Sequence, residues 1–110
     1  MVTERYCDFS DELVAPRQRS IRINGFATCI RLEEVYWTII EILARQESMT
    51  VGRLLSRWAL EMDMACEAVR NFTGYVRVIC VVQLVRRIEM VSPEDVERIA
   101  KIMNRNDYRL

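Results

Sequence analysis

Residues 19–32 read RSIRINGFATCIRL, with apolar and polar side chains alternating on either side of an Asn24-Gly25 dipeptide. Nothing else in the chain limits its fold as strongly. Asn-Gly is the preferred pair for a two-residue hairpin loop, because both of its residues tolerate positive φ. Pairing Ile23 with Phe26 sets the register, and a slip by one residue would turn every side chain to the opposite face. Ile21, Ile23, Phe26, Thr28, Ile30 and Leu32 then share one face, while Ser20, Arg22, Ala27, Cys29 and Arg31 share the other. The pattern leaves Arg19–Ile23 either as a true strand or as an extended arm. Residues 1–17 lack a period and are read as an N-terminal arm.

Beyond Leu32 the spacing becomes helical. Glu33 and Glu34 fall in the first turn of a helix expected to reach Gln46, where the helix dipole favours negative charge. Val35, Tyr36, Ile39, Ile40 and Leu43 form its apolar stripe, widened by Trp37 and Ile42. Glu47-Ser48-Met49 is a short connection. Thr50 then caps a second helix expected from Val51 to about Glu67, which buries Leu54, Leu55, Trp58 and Met62. A third helix, capped by Asn71 or Thr73, runs to about Arg87 and carries Val76, Val78, Ile79, Val82 and Leu84. Ser92-Pro93-Glu94-Asp95 opens a fourth, with Ser as N-cap and Pro at the first helical position, reaching about Asn104. The expected division is 1–17, 18–88 and 89–110.

Sixteen basic residues balance sixteen acidic ones in the 110-residue chain, so net charge says little about partners. Its distribution says more. Residues 16–32 hold Arg17, Arg19, Arg22 and Arg31 with no acid, and residues 71–87 hold Arg77, Arg86 and Arg87 unopposed. Acidic stretches lie between and around them. Fifteen of the sixteen basic residues are Arg, whose planar fork suits phosphate and guanine. The absence of His excludes a Ser-His-Asp triad, a Cys-His dyad and a His-ligated metal. Cys7, Cys29, Cys66 and Cys80 form no CxxC pair and are expected to be buried or half-buried structural thiols. Glu33-Glu34 and Glu94-Asp95 are helix-start acids rather than a catalytic pair. No catalytic residue, metal or cofactor is expected, and the chain is not read as an enzyme. The first fifteen residues include four acids and no apolar run, and the longest apolar run is Val78–Val82. A soluble cytoplasmic protein without a membrane segment is expected.

One ribbon and two helices are too little structure to bury this much apolar surface alone, which calls for dimerisation through the ribbon. This organisation resembles the ribbon-helix-helix fold of the Arc and MetJ type. Thr28–Leu32 (TCIRL) followed by Glu33 resembles its strand, Tyr36-Trp37, Ile40 and Leu43-Ala44 its first helix, and Met49-Thr50-Val51 the turn into its second. Arg19–Glu33 and Asn71–Arg77 are similar to a bacterial subgroup with an RSIxINGxxTSIRLE-like start and an added helical segment. The similarity spans residues 19–87. Glu34 stands where a helix-opening Pro is usual, Ser48 where Gly is usual and Cys29 where a more polar residue is usual. Ile39 and Ile42 are apolar where polar residues are expected.

The resemblance implies a mainly α fold with a short β-ribbon: an intertwined ribbon-helix-helix homodimer with one or two extra C-terminal helices. Ile30, Leu32, Tyr36, Trp37, Ile40 and Leu43 would form the dimer core. In a lone chain Ile30 and Leu32 would be half exposed. The implied function is sequence-specific binding of double-stranded DNA by a small transcriptional regulator whose ribbon enters the major groove. Ala27, Cys29 and Arg31 would read bases. Arg17, Arg19, Arg22, Thr50, Val51, Gly52 and Arg53 would hold the DNA backbone, with Thr50–Gly52 offering amide donors at a helix start. Gly52 has a plainer reading as a small residue that lets helices approach. The alternative is a protein-interaction dimer, antitoxin-like, phage-derived or inhibitory, that keeps the fold with weak or no DNA binding. Zero net charge and surplus apolar positions (Ile39, Ile42, Val81, Val85) favour it, as would a partner held by the C-terminal helices.

Overall fold

The computed structural model describes residues 6–62, 71–88 and 92–103, and the chain divides into two compact units, Met1–Asp63 and Met64–Leu110. In the first unit a 3-10 turn at Asp11–Val14 precedes strand β1 (Pro16–Ile23) and strand β2 (Phe26–Glu33). The strands pair antiparallel from Pro16↔Glu33 to Ile23↔Phe26, in the register that the alternation specifies. Asn24 (φ 51°) and Gly25 (φ 90°) both take the positive φ that a two-residue loop demands. Arg19–Ile23 is a strand, not an extended arm.

β1 begins earlier than the alternation suggests because Arg17 and Arg19 occupy inward positions, opposite Leu32 and Ile30. Two arginines break an apolar pattern on paper. In the fold their stems lie along the sheet while their guanidinium groups stack on Trp37, at 6.0 and 4.8 Å from the ring centre.

Helix α1 (Glu34–Gln46) and helix α2 (Val51–Glu61) close over the inward face. The core of this unit is Ile21, Ile30 and Leu32 from the sheet, Trp37, Ile40, Leu43 and Ala44 from α1, and Leu54, Leu55, Trp58 and Ala59 from α2. Burying each large side chain is worth about 1.5–3 kcal/mol. Trp37 is at the centre of the α1 stripe rather than at its margin. It is wholly buried, and its Nε1–H donates to the Arg17 carbonyl at 2.8 Å. Val35, Tyr36 and Ile39 are only half-buried, and Ile42 is exposed. Phe26, inward by parity, is exposed at the hairpin tip.

One expectation is overturned. Ile30 is 2% exposed and Leu32 fully buried within a single chain, because the intrachain hairpin and its own helices cover them. A lone chain therefore does not leave them half exposed.

α1 ends in a Schellman motif. Met49 N–H donates to Ala44 O at 2.8 Å and Ser48 N–H to Arg45 O at 3.1 Å, with Ser48 left-handed at φ 57°. The Thr50 hydroxyl caps α2 as expected, accepting from Arg53 N–H at 3.1 Å. Of the longer α2 expected from the sequence, residues 63–67 lie outside the described set, as does Cys66.

The second unit contains helices α3 (Phe72–Arg86) and α4 (Pro93–Met103), which pack on each other. Ser92 caps α4, its Oγ accepting from Asp95 N–H at 3.1 Å. Asn71 stands at the start of α3 without a side-chain cap bond. Of the apolar residues that the sequence places on this helix, Val76, Ile79 and Val82 are buried, with Phe72 and Cys80, whereas Val78 and Leu84 are exposed. The uniform reading of the thiols also fails: Cys7 and Cys29 are exposed and Cys80 is buried. Burial pushes the Cys80 thiol up to about 12. Among the described residues no helix is long and apolar enough to cross a membrane, and no three His, Cys, Asp or Glu side chains gather to hold a metal.

Candidate nucleic-acid interface

The alternation that buries one face of the hairpin exposes the other. Cross-strand neighbours on the outward face are Gln18 and Arg31, Ser20 and Cys29, and Arg22 and Ala27, all exposed. The three expected base readers, Ala27, Cys29 and Arg31, thus lie in a row along β2. Among the described residues no side-chain hydrogen bond or ion pair holds Arg31. Gln18 Nε2 donates to Cys29 Sγ at 2.8 Å, tying the centre of the face together. Gln18 and Ser20 belong to this face as well; the alternation placed Ser20 there, but neither was singled out as a site.

The backbone shows which edge is open. In a two-residue hairpin the pair flanking the loop is hydrogen-bonded and the pairs alternate from there. The next bond beyond the ladder, Glu34 N–H to Ala15 O at 2.9 Å, fits that alternation. Ala27, Cys29 and Arg31 therefore turn their backbone groups away from β1, and among the described residues nothing pairs with them. The outer edge of β1 differs, because α2 lies against it. A Cβ on Gly52 would sit 3.3 Å from the Arg22 carbonyl oxygen and 3.7 Å from Ile21 Cγ2. Asn24 N–H donates to Ser56 Oγ at 3.0 Å. Gly52 thus permits the close approach of a helix to a strand, not of one helix to another as the sequence suggested.

Between β1, the hairpin tip and α2 runs a groove of about 650 Å3. Arg22, Thr50, Gly52 and Arg53, expected to hold a DNA backbone, all line it, together with Arg57. Among the described residues no acid lines it. Arg22 curls toward the tip, Nη1 donating to Gly25 O at 3.0 Å. The amides of Val51 and Gly52 point out of the start of α2 without a partner among the described residues, so donors and positive charge converge there. Val51 begins the helix but does not line the groove. The sequence reading missed Arg57, one turn beyond Arg53, because only its proximity to β1 in space gives it a role.

Arg17 and Arg19 are elsewhere. Arg17 makes a bidentate pair with Glu34 (Nε–Oε1 2.7 Å, Nη2–Oε2 2.9 Å), and Arg19 reaches Glu41 at 3.1 Å. The hydrogen bond from Arg17 holds the Glu34 carboxyl below its usual range and raises Arg17 in return. Both guanidinium groups serve the sheet–α1 contact, on the face opposite Arg22 and Arg31. Of the residues expected in a dimer core, Ile30, Leu32, Trp37, Ile40 and Leu43 are buried in their own chain, and Tyr36 is half-buried.

A family model described as a ribbon-helix-helix domain matches residues 16–84. The chain is also similar to a solved structure, that of an uncharacterized protein from Bordetella pertussis Tohama I. The TM-score is 0.67 at 30% sequence identity, covering 83% of this chain and 73% of that one. No curated protein matches the chain.

Proposed function

The chain belongs to the ribbon-helix-helix domain family, and from that membership we propose that it is a homodimeric, sequence-specific DNA-binding protein, a small transcriptional regulator. Two copies join through the open edges of β2, antiparallel about a two-fold axis. An eight-residue strand with one unpaired edge is a template for another strand, and a second copy satisfies it. The outward face carrying Ala27, Cys29 and Arg31 then turns toward the major groove. The groove of Arg22, Arg53 and Arg57 takes the phosphate backbone, helped by the amides at the start of α2. That groove is the observation that carries the reading: three arginines converge, with no acid among the described residues that line it, in a protein of zero net charge.

The test is a salt-titrated binding measurement. Six groove arginines per dimer, at about 0.9 each, give a log–log slope near −5, so affinity falls about 1,000-fold between 50 and 200 mM salt. Arg57→Ala should weaken every duplex alike and lower that slope by about 2. A slope near zero in the wild type would refute DNA binding.

A second reading has its own support. Val78, Val81 and Leu84 recur every three residues along α3 and are 42%, 43% and 38% exposed. An apolar stripe of this kind suits a protein partner, which the regulator would hold in addition to DNA or in its place.

A further inference from the structure

β1 lies outboard of β2, and the width this adds decides which side chains can reach a base once the dimer proposed above has formed. Joining two open β2 edges gives a sheet ordered β1-β2-β2-β1. With strands about 4.8 Å apart, the β2 axes lie about 2.4 Å from the dyad and the β1 axes about 7.2 Å. The major groove is about 12 Å wide, a half-width of about 6 Å. Two strands fit within it; four do not. The β1 strands come to rest over the groove walls, where the phosphates are. Gln18, Ser20 and Arg22, the outward residues of β1, are all exposed and all hydrogen-bond donors. The arginine groove lies outboard again, on the same strand edge.

A sheet held at the mouth of the groove touches bases only through long side chains. Ala27 is too short. Cys29 is short as well, and its sulfur already accepts from Gln18. Arg31 is long, exposed and held by no other side chain among the described residues. We propose that base choice rests on Arg31 alone, one guanidinium per protomer, each bidentate on a guanine, while Gln18, Ser20 and Arg22 ride on the two phosphate strands. Outward side chains and open backbone groups both belong to odd-numbered positions of β2, so two copies pair odd to odd. The best-overlapping registers place Cys29 or Ile30 at the dyad. The two Arg31 positions are then four or two residues apart, about 14 or 7 Å. At about 3.4 Å per step this corresponds to about four or two base pairs between the two guanines.

The experiment selects a preferred site from a random duplex pool with the full chain. It then titrates Arg31→Ala, Cys29→Ser, Ala27→Ser and Gln18→Ala against that site and against the same site with each guanine replaced. All four positions are exposed, and circular dichroism confirms that each variant is folded. Arg31→Ala should lose about 5- to 150-fold of discrimination at the guanines while keeping its affinity for a scrambled duplex. Gln18→Ala should weaken all duplexes alike, and Cys29→Ser and Ala27→Ser should leave base preference unchanged. A preference altered by Cys29→Ser, Ala27→Ser or Gln18→Ala, with DNA binding intact, overturns this inference alone. Wild-type protein that binds no duplex at low salt overturns it together with the DNA-binding reading.

Discussion

Replacing Ser48 by glycine should stabilise the first unit. Ser48 holds φ 57° at the end of α1, where two backbone bonds of the Schellman motif fix it. A left-handed L-residue costs roughly 1–2 kcal/mol, which glycine does not incur. Glycine in turn loses about 0.5–1 kcal/mol more conformational entropy on folding. The difference leaves a gain of about 0.5–1 kcal/mol, or roughly 2–8 °C in a domain of this size. Both tryptophans of the chain, Trp37 and Trp58, lie in the core of this unit, so their fluorescence reports its melting. Ser48→Ala is the control, since alanine removes the hydroxyl but keeps the Cβ. The reasoning is refuted if Ser48→Gly leaves the midpoint unchanged or lowers it. It is equally refuted if Ser48→Ala gains as much, because the hydroxyl and not the backbone angle would then be responsible.

Trp37→Phe should cost about 2–4 kcal/mol in urea denaturation, because it opens a cavity and strips the donor from the Arg17 carbonyl. Gly52→Val should cost about 1–3 kcal/mol and weaken DNA binding in a filter assay, since the added side chain wedges α2 away from Arg22 and Ile21. The folded-state Glu34 carboxyl titrates below its ordinary 4.5, so the stability it contributes is complete above that pH and disappears as pH falls through the lowered value. Glu34→Gln should accordingly flatten acid unfolding below pH 4.5 in a circular dichroism titration. In a Cys66→Ser background, a thiol reagent at about pH 8 should label Cys7 and Cys29 at once, and Cys80, whose thiol stays protonated up to about 12, only on unfolding.

Local chemistry made the hairpin legible. Asn24-Gly25 and a strict alternation define both the turn and the Ile23↔Phe26 register, so inward and outward side chains follow without tertiary information. The Thr50 and Ser92 caps are legible for the same reason: each acts on an amide three residues away. What escaped the sequence is set by contacts distant along the chain. Arg17 and Arg19 look like cations free for phosphate, yet Glu34, Glu41 and Trp37 claim them from α1. Arg57 looks like an ordinary solvated residue and acquires its place only because Gly52 lets α2 approach β1. The period of α1 was legible, but its centre was not, since apolar residues cover more than half of the helix's circumference and the Trp37 indole, bonded to the Arg17 carbonyl, lies on the side that is buried.

The burial of Ile30 and Leu32 within their own chain has a consequence in mass action. A protomer whose core closes within its own chain stays folded on dilution, so its melting midpoint should be independent of protein concentration below the dissociation constant of the proposed pair and rise with concentration above it. Assembly of the proposed dimer would then be a reversible encounter between finished parts and not the last step of folding. If that dimer binds DNA as proposed, occupancy of a palindromic site below the dissociation constant of the pair would rise with the square of protein concentration. The same small fold then gives a steep dose response rather than a gradual one.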